Sequence, residues 1–173
     1  TWFAPGHKRV FRSAEGDGVL LATSHSPEFV VINPVTGKRW NGSASVRARP
    51  LDPTLHDLLV EEFLNQEEAN LGFTEPQPTA DAKRAVVRAA GRSRLAPLFD
   101  RAILAQSGEA WLRERREPGA ELDTWRVVSR SAPERAVRIP SDFTILAIQA
   151  DRIVASSRDE FDVATLFVLS VPQ

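Results

Sequence analysis

DRAILAQSGEAWLRERREPGAELDTWRVVSRSAPERAVRIP, residues Asp100–Pro140, decides the fold class. Arg101–Gln106 is an apolar run of strand length, and Ser107-Gly108 supplies a turn. Glu109–Arg115 then alternates: Ala110, Leu112 and Glu114 share one face, and Trp111, Arg113 and Arg115 the other. EPGAE (Glu117–Glu121) turns the chain, Thr124–Ser129 is a third strand, RSAPE (Arg130–Glu134) turns it again, and Arg135–Ile139 is a fourth. Four short strands joined by turn-rich links predict one small antiparallel sheet.

The same plan repeats on both sides. Upstream, Arg9–Arg12, Val19–Thr23, Phe29–Asn33 and Arg39–Val46 read as strands. They are separated by EGDG (Glu15–Gly18), SHSPE (Ser24–Glu28) and NPVTGK (Asn33–Lys38), whose Gly, Pro and Asn residues favour turns. Downstream, Phe143–Gln149, Arg152–Ser156 and Val163–Val171 are strands, and the chain stops before a fourth. Four antiparallel strands in about 40 residues is the blade unit of a β-propeller. A β-sandwich or open barrel has similar strand lengths, and periodicity alone leaves both open.

Between the first two units the texture changes. Asp52 suits an N-cap and Pro53 the first helical position. Leu55, Leu58, Leu59 and Phe63 form one helical stripe, and Gly72 can end it. TEPQPT (Thr74–Thr79) is a stiff link, and Ala82, Ala85, Val86, Ala89 and Ala90 share a face of a second helix. A helical pair lying against a flank of the sheets is expected.

The second half resembles the C-terminal blades of bacterial six-bladed β-propellers of the NHL-like type. Trp111, Pro118, Gly119, Trp125, Pro140, Ile145, Leu146, Arg158, Asp159, Glu160, Asp162 and Val163 stand at matching places, and VVINPVTGK looks like the corresponding turn of an earlier blade. SRSAPE departs from the pattern, lacking its Asp and Gly, and the chain has no tyrosine. The resemblance implies a mostly β, partial propeller of about three blades: blade 7–48, helical insertion 52–94, blade 98–140 and an incomplete last blade 142–171, within a single domain 1–173. It also implies a periplasmic or extracellular setting. Because propellers need at least about four blades to close, and the chain starts TWFAPG without Met, a C-terminal half of a longer protein is expected.

Bulk properties exclude several classes. The formal net charge of −1 supplies no field for nucleic acid. No run reaches the ~18 apolar residues of a membrane span. With no cysteine, thiolate catalysis and cysteine metal sites are ruled out. His7, His25 and His56 are scattered without metal-ligand spacing, and SHS (Ser24–Ser26) lacks a Gly-x-Ser-x-Gly elbow.

The acidic stretch RDEFD offers Arg158, Asp159, Glu160 and Asp162. Calcium takes ~6–8 oxygen ligands, more than one turn provides. A charged turn before a final core strand is the expected role. Trp2 and Trp40 are candidate surface aromatics, whereas Trp111 and Trp125 suit packing between adjacent sheets. RERRE (Arg113–Glu117) is expected on a solvated outer strand. No catalytic, cofactor or metal residue is assigned.

The expected function is a non-catalytic ligand- or protein-binding scaffold, with partners on the propeller face. One alternative is a metal-dependent, lactonase-like propeller hydrolase whose site lies mostly in missing blades. Another is a half-propeller that completes its ring with a second copy.

Overall fold

The computed structural model describes residues 10–51, 53, 57, 95–117, 119–149 and 151–171. The chain divides into two compact units, one of Thr1–Lys8 with Ala48–Pro97 and one of Arg9–Arg47 with Leu98–Gln173. In the first, an antiparallel bridge joins Pro50 to Leu95, and the Ala96 amide donates to the Arg49 carbonyl at 2.9 Å. The expected helical insertion, 52–94, lies outside the described residues except for Pro53 and Asp57, which have helical backbone. The described architecture is mostly β.

Among the described residues, the second unit holds eleven strands in three antiparallel sheets. The first sheet is β1 (Val10–Glu15), β2 (Gly18–Thr23), β3 (Glu28–Ile32) and β4 (Arg39–Ser43), in that order. The second is β5 (Phe99–Leu104), β6 (Ala110–Glu114), β7 (Leu122–Val128) and β8 (Arg135–Pro140), again in chain order. The third has three strands, β9 (Thr144–Gln149), β10 (Arg152–Arg158) and β11 (Ala164–Ser170), with β10 central. Each run of alternating or apolar residues becomes a strand, and each Gly-, Asn- or Pro-rich link becomes its turn. In NPVTGK, for example, Asn33 Oδ1 accepts from the Val35 and Thr36 amides at 3.0 and 2.8 Å. Gly37 then takes a φ of +69°, the left-handed region glycine enters without penalty.

The second sheet is buried on both faces. Ala102, Leu104, Ala110, Leu112 and Val128 pack against Leu20, Ala22, Phe29 and Val31 of the first sheet. Trp111, Trp125, Val127 and Ile139 pack against Ile145, Ile148, Ile153 and Ala155 of the third. Because successive strand residues point to opposite faces, Leu112 and Trp111 enter different cores. Trp111 and Trp125 are fully buried, with ring centroids 6.4 Å apart, and so pack between sheets as expected.

β5 lies close against β1 and β2 of the first sheet. The Leu104 amide donates to Ser13 Oγ at 2.9 Å there. On the other side the Gln106 amide donates to the Ile148 carbonyl at 3.0 Å, joining the end of β5 to β9.

Two expectations need correction. RERRE does not sit on a solvated outer strand. It runs from the end of β6, an interior strand of its sheet, and Arg113 and Arg116 are held by buried or nearly buried carboxylates. The stretch after RDEFD is not a core strand throughout. β11 is an edge strand of its sheet, and Leu166 and Val168 are 68% and 66% exposed on the face turned away from the second sheet.

Candidate functional site

The densest group of charges among the described residues lies where β5 begins, β6 ends and β7 begins. The register brings Arg101 opposite Arg113, and Arg113 opposite Trp125. A β-bulge between Phe99 and Arg101 adds one residue, Asp100, to β5 at this point. Asp123 follows at the start of β7, two residues before Trp125.

Asp123 is the anchor, with 2% of its surface exposed. Its Oδ1 accepts from Arg116 Nε at 2.6 Å, and its Oδ2 from Arg116 NH2 at 2.8 Å and Arg113 NH1 at 3.0 Å. The two-pronged Arg116 contact is the fork geometry that suits a carboxylate. Arg113 Nε donates to Asp100 Oδ1 at 2.5 Å, and its guanidinium carbon lies 5.9 Å from the centroid of the Trp125 ring. Arg116 NH2 also reaches the Ser141 carbonyl at 2.8 Å, beyond β8. The hydrogen bond that Arg116 donates to Asp123 raises the Arg116 pKa.

Arg101 stands apart. Its NH2 donates to the Ile145 carbonyl of the third sheet at 2.9 Å. Burial lowers its pKa, the nearby Arg113 charge lowers it further, and Asp100 and Asp123 partly offset both.

The acidic turn predicted as a candidate site is organised by its own backbone. Asp159 Oδ1 accepts from the Phe161 and Val163 amides at 3.0 and 2.9 Å. The Asp159 amide donates to the Val163 carbonyl at 3.2 Å, and Arg158 NH1 meets Asp162 Oδ1 at 2.5 Å. Asp162 has a φ of +62°, a conformation Asp tolerates better than most side chains. Glu160 is exposed. The segment therefore works as a reversing turn. No group of three or more His, Asp or Glu that could hold a metal occurs among the described residues.

Trp40, expected as a surface aromatic, is half-buried against the first core and meets the Phe29 ring edge-on at 5.3 Å. Trp2 lies outside the described residues. Ser24 Oγ and His25 Nδ1 are 2.8 Å apart, but Ser24 is buried and its carbonyl accepts the Leu98 and Phe99 amides. The Ser24 carbonyl ties the β2–β3 turn to the start of β5, and the buried Ser24 hydroxyl is no accessible nucleophile.

Sequence reading missed the Arg101, Arg113, Arg116, Asp100 and Asp123 cluster. One signal was present: Asp123 shares the alternation of Trp125, which puts an acid on an inward-facing position. Such an acid requires a cationic partner, and the arginines of RERRE are the nearest.

No family model, curated protein or solved structure matches this chain.

Proposed function

We propose that the three sheets are consecutive blades of a β-propeller, similar to the bacterial six-bladed NHL-like type, and that the chain is a non-catalytic binding or scaffold module. The supporting observation is the close approach of β5, the first strand of its sheet, to β1 and β2, the first strands of theirs. Sheets packed as flat layers sit about 10 Å apart throughout, whereas blades meet most closely at the strands beside the axis. Chain-order stacking, with each sheet burying a face on the next, agrees with this reading.

A crystal structure of the chain tests the arrangement. Successive sheets related by similar rotations about one axis beside β1, β5 and β9 are expected; flat layers with a constant separation would overturn it. Lactone hydrolysis with added calcium tests the non-catalytic part. No acceleration over the uncatalysed rate is expected, and metal-dependent turnover would refute it.

A second reading, in which a second copy covers the open end of the stack, is favoured by the outer face of the third sheet. Leu146, Leu166 and Val168 are all more than half exposed there. Equilibrium sedimentation is expected to show a dimer that Leu166→Lys with Val168→Lys converts to monomer. A monomer at every concentration removes this reading.

A further inference from the structure

We propose that Arg101, with Arg113 beside it, binds a carboxylate group at the rim of the second sheet. The inference rests on the binding-module reading and names the chemistry of its ligand.

Three guanidiniums and two carboxylates meet at this rim, which leaves one excess positive charge. Both acids are taken. Asp123 is held by Arg116 and Arg113, and Asp100 by Arg113. Arg101 has no ion pair among the described residues, and the Ile145 carbonyl accepts from just one of its N–H groups. A guanidinium carries five donors in a rigid fork, so four are left without an acceptor among the described residues. Cross-strand register also sets it against Arg113, and like charges directly opposite each other in a sheet are destabilising.

One negative charge would balance the cluster, and two coplanar oxygens would fill the fork. A carboxylate supplies both. A phosphate dianion would leave the rim with excess negative charge. Arg101 is only partly buried and lies on β5, the first strand of its sheet. A ligand carboxylate from solvent therefore has access without separating the sheets. Free organic acids and the acidic side chains of a partner protein share this chemistry.

The test uses the full chain labelled with nitrogen-15. Arginine Nε signals are followed during titration with sodium acetate, with sodium chloride adjusted to hold ionic strength constant. The Arg101 signal is expected to move saturably, with half-saturation in the millimolar range, and acetate is expected to raise the thermal midpoint. The rise in thermal midpoint should vanish in Arg101→Gln, and both effects should persist in Arg39→Gln, a change on the exposed end of β4. Arg101→Lys, which keeps the charge and loses the fork, should weaken the thermal response several-fold. An acidic peptide matching acetate would point to a protein partner, and a response to acetate alone to a small acid; either supports the site. A linear or absent shift of wild-type Arg101, or a response confined to phosphate, would overturn it. Because the wild-type signal is read directly, poor folding of a variant does not rescue the proposal. A flat titration leaves the propeller reading intact, and a flat-layered crystal structure leaves the titration intact.

Discussion

Replacing Asp123 with alanine should be among the most damaging single changes in the second unit, and the structure sets the size of the effect. The carboxylate is almost wholly buried and accepts three hydrogen bonds from two guanidiniums. Removing one member of a buried ion pair typically costs about 3–5 kcal/mol, mostly from the charge left behind. Two features reduce that figure here. Arg113 keeps Asp100, and the Arg116 side chain is 34% exposed, so water can reach part of its guanidinium. The expected loss is therefore near the lower end, about 3 kcal/mol. Arg116→Ala leaves Asp123 paired with Arg113 and should cost less, roughly 1–2 kcal/mol. The double variant leaves neither the orphaned charge nor its partner. Its cost should fall short of the sum by about 1–2 kcal/mol, as expected for coupled neighbours. Urea unfolding followed by tryptophan fluorescence provides the assay, since Trp125 lies beneath Arg113. A loss under about 1 kcal/mol for Asp123→Ala, or strict additivity in the double variant, would refute the claim that this cluster clamps the rim.

Two glycines should respond differently to alanine. A Cβ on Gly42 would lie among the rings of Phe29 and Trp40, whereas one on Gly18 would meet the Cδ2 of Leu104 at 2.7 Å, the end of a flexible side chain. Gly42→Ala should thus cost about 2 kcal/mol or more and Gly18→Ala about 1, measured by the same unfolding curves. Trp111→Ala should cost about 3–5 kcal/mol by opening a cavity between the second and third sheets. Trp111→Phe should cost much less, because the lost volume is partly offset by removing a buried indole N–H that has no acceptor among the described residues. At the β10–β11 turn, Asp162→Gly should be neutral or slightly stabilising in thermal unfolding, since the exposed Arg158 pair is weak and glycine relieves the positive φ. Asp162→Val should lose roughly 1–2 kcal/mol by the same assay.

The strands were legible because their signals are local. Alternation around Trp111, the Gly and Pro punctuation, and the Asn33 turn each act over a few residues. The predicted runs accordingly overlap all eleven strands, with ends displaced by up to three residues, the largest at the ends of β1 and β4. The opposed faces of Trp111 and Leu112 follow from the same local rule. Trp111 and Trp125 were expected to pack between adjacent sheets and do so; their contact with each other came only from the structure.

The rim cluster was not legible, for a reason that is also physical. Its geometry depends on register, and a bulge at Asp100 alters the register at the decisive point. Without that extra residue the cross-strand partner of Arg113 cannot be assigned, and RERRE looks like mixed charge facing water. The third sheet carries a comparable lesson. A bulge between Val154 and Ala155 sets Ile145 and Ile148, three residues apart, into one core, and strict alternation would have separated them. Leu146 then falls to the outer face, which Leu166 and Val168 share on the far side of β10. ATLFVLS has the composition of a core strand, yet composition records only a residue's capacity for burial. Whether that capacity is used depends on what packs beyond the last sheet. Residue-by-residue reading does not contain that, because burial is set by the neighbouring sheet and not by the strand's own composition.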